Sequence, residues 1–289
     1  MLAARGKCMK NSNFDPSHYW ANLISGDLDL SRVGHPELGA YNRVAYRVRL
    51  HALDRVLRAL SVDMRRTRVF EAAFGVGFYL AEWARRGALA VSGLDISPDA
   101  VKAAQARFPS FKLRQADLGV DGAASGQSDL VLAIDVLYHI VDDARWQVAL
   151  ANLANVVARD GHLVLTDKFP DNPSHTDPFP HVRRRSLQTY DDTLRRLGFE
   201  RVMIQPVFVF MDDPLEDGCH PLLGKAANLQ WRVGTKIIRT LAPARRLRDG
   251  LGLSFGLCQL PFELLALSFL DRSPNLELAV YRRTPAHRE

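Results

Sequence analysis

The chain has 289 residues, 47% hydrophobic and 24% charged, with 38 Lys and Arg against 32 Asp and Glu, a net charge of +6. An apolar fraction this high builds a large core and excludes global disorder. The three cysteines, Cys8, Cys219 and Cys258, lie far apart, which excludes a disulfide scaffold and a C-x-x-C zinc site and suits a reducing compartment.

The length predicts two domains or one α/β domain with insertions. The opening MLAARGKCMKNSN has no apolar h-region of a secretory signal. The most apolar tract, Leu257 to Leu270, is interrupted by Gln259, Pro261 and Glu263 and falls short of the roughly 18 apolar residues of a membrane span. The expectation is a cytoplasmic chain without a membrane span. Much of the basic excess sits in Arg183-Arg184-Arg185 and in Lys236 to Arg248. Such runs attract nucleic acid, anionic lipid or an acidic carrier protein. They are read here as solvated surface, because no nucleic-acid-binding signature accompanies them.

In chain order, residues 1–13 read as a disordered leader. Helical patterning then runs from Phe14 to about Leu60, with Tyr41, Ala45, Val48, Ala52, Val56 and Leu60 at spacings of three and four, an amphipathic cap. Alternation of strand and helix follows. Arg68 to Ala73 is a short buried strand, Phe78 to Arg86 a helix closed by Gly87, and Ala90 to Asp95 a second strand. Ser97 and Pro98 supply an N-cap and a first-turn proline for the next helix. Strands are expected at Phe111 to Gln115, Leu130 to Ile134 and, after Gly161, His162 to Thr166, with a helix over Arg145 to Ala158. This rhythm predicts a parallel sheet covered by helices on both faces.

The tail departs from the rhythm. A helix, Tyr190 to Leu197, ends at Gly198, a long strand runs from Phe199 to Phe210, and a helical excursion precedes a last strand, Leu276 to Tyr281. Two late strands around an excursion predict an antiparallel hairpin at the sheet edge, opened to admit a lid. The predicted organisation is a leader and helical cap over 1–60, an α/β ligand-binding domain over 61–210 plus 275–289, and a helical insertion over 211–274.

The sharpest local signal is Glu71-Ala72-Ala73-Phe74-Gly75-Val76-Gly77 at a strand-to-helix turn. Glycines there let the backbone approach a ligand, and the helix N-terminus presents free N–H groups. A dinucleotide site requires a third glycine three residues after the second; counted from Gly75, that position is Leu80, which disfavours a nicotinamide-dependent reductase. Asp95 ends the second strand, 20 residues past Gly75, where a carboxylate accepts ribose hydroxyls. Asp117 follows the third strand, where an acceptor meets an exocyclic adenine amine. Acids at three successive strand ends fit an adenosine that carries positive charge and no phosphate.

These residues resemble the class I S-adenosylmethionine-dependent methyltransferases, whose first motif is E/D-x-G-x-G-x-G followed by acids after the second and third strands. The resemblance covers about residues 65–210. FDPSHYW, YNRVAY, DVLYHI and HVRRRS also look like a small-molecule subfamily. It implies a Rossmann-like, seven-stranded, mostly parallel sheet with an antiparallel last strand, an N-terminal helical cap and a helical insertion before that strand. It further implies S-adenosyl-L-methionine as cofactor, with Glu71, Ala73, Gly75 and Gly77 around the methionine moiety. Asp95 and Ile96 would hold the ribose and flank the adenine, Asp117 and Leu118 would complete the adenine slot, and Ile134 with Asp135 would lie beside the sulfonium. Ala73 replaces the family's first glycine, a methyl group tolerated there if φ stays negative.

Methyl transfer from a sulfonium is an in-line substitution, so the protein chiefly aligns the acceptor and excludes water. Asp135, Tyr138 and His139 follow the fourth strand, and His139 is the candidate base where an acceptor must lose a proton; a histidine bonded to a neighbouring loop is the plain alternative. The loop from Asp167 to Arg185 should line the pocket. His175, Asp177 and His181 in it lack metal-ligand spacing, so no metal is expected, and His181 and Arg183 read as loop anchors. Tyr19 and Tyr46 are candidates to cover the sulfonium. Arg49 is a candidate partner for the cofactor carboxylate, with an ordinary surface arginine as its alternative.

The excursion is too apolar for a free surface, and its uses are packing on the core, closing over a lipophilic acceptor, or a homodimer contact. The sequence therefore leads to methyl transfer to O, N, C or S of a small acceptor, free or carrier-bound, in specialised metabolism, with no nucleic-acid partner. The alternatives are a cofactor-binding regulatory subunit that does not methylate, a nicotinamide-dependent reductase, and an RNA methyltransferase, for which no catalytic motif is present.

Overall fold

The computed structural model describes residues 33–284 apart from 173, 174, 176, 178, 217, 242 and 243. The expected leader, FDPSHYW and Tyr19 lie outside the described residues. The cap is a helix α1, Tyr41–Ala59, which buries Tyr41, Ala45, Val48, Ala52 and Val56 along the stripe that spacings of three and four create.

From α1 the chain builds β1 (Arg68–Ala72), α2 (Phe78–Arg86), β2 (Ala90–Asp95), α3 (Pro98–Arg107), β3 (Lys112–Gln115), β4 (Ser128–Ala133), α4 (Asp143–Val156) and β5 (Val157–Asp167). It continues through α5 (Leu187–Arg196), β6 (Phe199–Pro206), α6 (Pro221–Leu241), α7 (Arg245–Phe269) and β7 (Glu277–Arg283). The punctuation works as the residue types demand. Gly87 closes α2 at φ 68°, the left-handed position where glycine carries no steric cost. The Ser97 hydroxyl accepts from the Ala100 N–H while Pro98 fills the first turn of α3.

The seven strands form one sheet in the order β3-β2-β1-β4-β5-β7-β6. β1 to β5 are mutually parallel, and β7 is antiparallel to both neighbours. All five parallel strands therefore deliver their carboxyl ends to one edge, the position at which open α/β sheets bind ligands. The two late strands form the expected antiparallel pair at the sheet edge, with β7 between β5 and β6. One expectation changes: β6 stops at Pro206 rather than Phe210, since proline has no N–H to continue a ladder.

Alternate strand residues feed two cores. Val69, Val91 and Leu132 face a cluster shared with α1 and α2; Phe70, Val131 and Leu163 face a cluster shared with α4 and α5. Helix α7 joins the first layer by packing on α1. The approach is close at Gly252, where a Cβ would lie 1.8 Å from the Leu38 carbonyl oxygen; only glycine fits there. The excursion is thus fastened to α1 and to the turn before it.

Candidate functional site

The glycine loop sits at the carboxyl end of β1, beside β2 and β4. Gly75 has φ 51° and Gly77 φ 71°, and a Cβ built on Gly75 meets nothing within 4 Å, so the loop presents bare backbone to open space. Ala73 corrects an expectation. Its φ is 55°, in the left-handed region that an L side chain enters only at a cost of about 1–2 kcal/mol. Its N–H still donates to the Leu94 carbonyl at 2.7 Å, which pins the turn. Leu80, where a dinucleotide fold has its third glycine, is fully buried and seats α2 against the sheet.

Asp95 is 2% exposed and braces this loop. Its Oδ2 accepts from the Gly75 N–H at 2.8 Å and its Oδ1 from the Ser97 N–H at 2.8 Å. Burial raises its pKa, and these bonds oppose the rise. Each carboxylate oxygen retains a further acceptor position, so the loop bonds leave capacity for a diol. Glu71 turns under the loop instead of out of it: the Trp83 indole N–H donates to its Oε2 at 2.8 Å. Burial pushes Glu71 up to about 8, against that hydrogen bond, and the neighbouring Asp95 adds to the rise. It supports the loop from beneath.

Asp117 follows β3, pairs with Arg145 and accepts from the Gly119 N–H at 2.9 Å. Leu118 beside it is buried, while Ile96 is half-buried and its carbonyl accepts from the Gln115 amide at 3.2 Å. Ile134 is half-buried at the end of β4. These positions surround the same edge that the sequence assigned to them.

Across the edge lies a charged cluster that the sequence did not reveal as a unit. Arg49 of α1 is buried, not a surface arginine. Its Nη2 lies 3.1 Å from Asp135 Oδ2 and donates to Asp212 Oδ2 at 3.4 Å. Its guanidinium packs 4.7 Å from the Phe208 ring centroid and 5.5 Å from that of Tyr46. Burial opposes its charge, but Asp135 and Asp212 outweigh that and raise its pKa. Asp135, at φ 55°, is held by Thr166, whose hydroxyl accepts from its N–H at 2.7 Å and donates to its Oδ1 at 3.1 Å.

Asp212 also meets His35 Nε2 at 2.8 Å, and the Lys168 ammonium donates to its carbonyl at 2.5 Å. Against the burial penalty, Lys168 and Arg49 hold its carboxylate well below the usual range. Burial likewise opposes charge on His35, yet hydrogen bonds to Asp212 and Glu37 raise it to about 9. Sequence reasoning missed Asp212, Lys168 and His35. The run Asp212-Asp213-Pro214 was a signal, hidden inside what read as strand and excursion.

Two nitrogens of Arg49, Nε and Nη1, are buried without a hydrogen-bond partner among the described residues. Buried guanidinium donors left unpaired are costly, and a carboxylate oxygen would satisfy either of them singly.

The residues after β4 divide by role. His139 Nδ1 meets the His181 carbonyl at 3.0 Å. Burial pushes its pKa down to about 3, with that carbonyl opposing. It is a loop anchor and, as a base, a weak one. Burial holds the Tyr138 hydroxyl well above the usual phenol range, so it stays protonated. The basic run is spent on internal ties: Arg183 pairs with Asp143 at 2.5 Å, Arg184 with Asp177, and Arg185 with Asp143 at 2.9 Å. The loop after β5 borders a cleft of about 840 Å³ with Trp146, Gln147, Thr189 and Arg196. None of Glu71, Asp95, Asp117 or Asp135 lines that cleft.

Comparison with known proteins places this architecture. Residues 69–161 match a family model described as a methyltransferase domain. No curated protein matches the chain. Among solved structures, a putative sarcosine dimethylglycine methyltransferase from Galdieria sulphuraria is similar at 14% identity and TM-score 0.55, over 94% of this chain and 99% of that one. DhpI in complex with SAH is similar at 16% identity and TM-score 0.52, over 93% and 96%. Magnesium protoporphyrin IX methyltransferase (ChlM) from Synechocystis PCC 6803 with bound SAM gives 21% identity and TM-score 0.50, over 67% and 91%. At these identities the likenesses speak for the fold, and the family match speaks for the domain. Residues 69–161 thus carry a methyltransferase domain. The bare Gly75 backbone and the remaining acceptor positions of Asp95 would fit a nucleoside-bearing cofactor.

Proposed function

We propose that this chain is an S-adenosylmethionine-dependent methyltransferase that methylates O, N, C or S of a small, lipophilic metabolite. The observation that carries the reading is the bare Gly75 backbone beside the buried Asp95 carboxylate at the sheet's carboxyl edge; the unpaired donors of Arg49 would serve an amino-acid carboxylate on the cofactor. In this reading Arg49 holds that carboxylate, Gly75 and Gly77 border the methionine chain over the Glu71 support, and Asp95 with Ile96 takes the ribose. Asp117 and Leu118 border the adenine, and Ile134 and Tyr46 flank the sulfonium. Ala73 shapes the loop through its backbone.

Bound there, the cofactor supplies an electrophilic methyl on a cationic sulfur. The chain's own part is to align an acceptor and exclude water. Asp135, fixed by Thr166 and Arg49, positions a polar acceptor atom, and Tyr138 offers a hydroxyl donor. A histidine with a pKa of about 3 leaves little room for proton abstraction by His139, so acceptors that need no strong base fit best. Phe208, Phe210 and the apolar excursion beside the cluster support a lipophilic acceptor.

Calorimetry with S-adenosylmethionine tests the reading. Binding is expected, with Asp95→Ala weakening it by about 2–3 kcal/mol through loss of charge-assisted bonds. No heat of binding, or an unchanged Asp95→Ala, rejects it. An acceptor panel with product mass detection then addresses the class, and turnover limited to polar acceptors removes the lipophilic assignment.

A further inference from the structure

The two helices between β6 and β7 carry surfaces that methyl transfer does not use. Helix α6 turns Gly224, Ala227, Trp231, Thr235 and Ile238 toward the protein. Directly opposite, at its outward pole, Leu222 is 84% exposed, Leu229 64%, Val233 50% and Ile237 50%. Lys225, Arg232, Lys236 and Arg239 run along one flank of that pole at helical spacing, all exposed. Helix α7 repeats the pattern. Gly252, Gly256, Gln259, Glu263 and Leu267 face inward; Leu257, Phe262, Leu265 and Phe269 are exposed on the other side. From Gly250 to Phe269 its one charged residue is the buried Glu263.

The charges concentrate where the helices meet. Arg245 and Arg246 open α7 just beyond the Lys236 and Arg239 end of α6, and both are exposed. Over residues 221–249 there are seven Lys and Arg against one acid, Asp249. An outward apolar pole with cations along its flank matches the boundary between acyl chains and anionic headgroups. A second copy of this chain fits less well, since a two-fold interface sets the same cations against each other.

Length and composition alone would let α7 cross a bilayer. Its inward face forbids it. The Glu263 carboxyl accepts the backbone N–H groups of Val209, Phe210 and Met211, and Gln259 donates to the Phe210 carbonyl at 3.3 Å. Pulling α7 into hydrocarbon would leave these groups unpaired. The helix lies on a surface instead of spanning it.

We infer that the outward face of α6 and α7 docks on an anionic lipid bilayer, apolar pole at the acyl boundary and cations against the headgroups. The inference goes beyond methyl transfer and does not depend on it.

Flotation of the full chain with vesicles tests it. Phosphatidylcholine alone should leave the chain behind, and phosphatidylcholine mixed with phosphatidylglycerol should carry it up, less so as salt rises. Lys225→Ser with Lys236→Ser should weaken binding about fivefold per cation removed, and Phe262→Ser with Leu265→Ser should abolish it. The lipid and salt comparison uses the unmodified chain, so it decides even if a variant misfolds. Equal recovery with both vesicle types overturns the inference. So does absence from both, including the case where sedimentation finds a dimer that Phe262→Ser dissociates, which assigns the face to a second copy.

Discussion

The two halves of the sheet's carboxyl edge hold charge by opposite means. Around β1 and β2, a carboxylate is satisfied by backbone: Asp95 accepts N–H groups from Gly75 and Ser97, residues near it in sequence or one strand away. Around β4 and β5, carboxylates are satisfied by side chains from remote segments. Arg49 from α1, Lys168 after β5 and His35 before α1 converge on Asp135 and Asp212. The first half is a motif, because turn geometry fixes its spacing. The second is an assembly, held only once the fold has closed. Backbone cradles tolerate loss of one donor, whereas buried ion clusters penalise it heavily.

The largest test of that contrast is Arg49→Met. It leaves Asp135 and Asp212 facing each other in a buried site, and unfolding should show a loss of about 3–5 kcal/mol together with weaker cofactor binding by calorimetry. A melting curve like that of the unchanged chain would mean the assembly is held by His35 and Lys168 alone.

The backbone half is sharpened by pH. Before the cofactor binds, Glu71 is protonated below its pKa of about 8, whereas a nearby sulfonium and ammonium favour its ionised form. Binding should therefore release a proton below that pH, and affinity should climb as pH rises toward 8, then level off. Titration in buffers of different ionisation enthalpy reads the proton directly. Glu71→Gln should flatten the profile, and a flat profile in the unchanged chain removes Glu71 from the electrostatics of the site.

The charged half has its own pH signature. His35, raised to about 9 from an ordinary 6.5, contributes stability that is complete below pH 6.5 and is lost as pH rises through 9. Denaturant midpoints across that window should fall, and His35→Gln should remove the slope.

The smallest effect belongs to Ala73→Gly. Glycine relieves the left-handed strain while adding backbone freedom to the unfolded chain, so a net gain of about 1 kcal/mol is expected in the melting curve. A loss would show that the Ala73 methyl packs usefully.

Legibility followed the same division. Strands β1 to β5, the glycine loop and the positions of Asp95 and Asp117 were readable because alternation and turn chemistry act within a few residues. Local patterns do not state direction, so the inward turn of Glu71 toward Trp83 and the sign of φ at Ala73 were not readable. Burial of Arg49 was hidden for a different reason: its partners lie 86 and 163 positions away (135 − 49 and 212 − 49), and no spacing rule reaches that far. The end of β6 was misjudged by reading an apolar run through Pro206.

The register of β6 on β7 pairs Pro206 with Glu277, so everything from 207 to 276 departs from and returns to neighbouring points on the scaffold. Such an attachment behaves like a cassette. Its length and chemistry can be exchanged without stretching the sheet, since closing a longer loop adds little entropy cost. Grafting a different segment between those two residues therefore leaves the sheet unstrained, provided that the graft returns a carboxylate to Arg49 where Asp212 stands and covers α1 as α7 does.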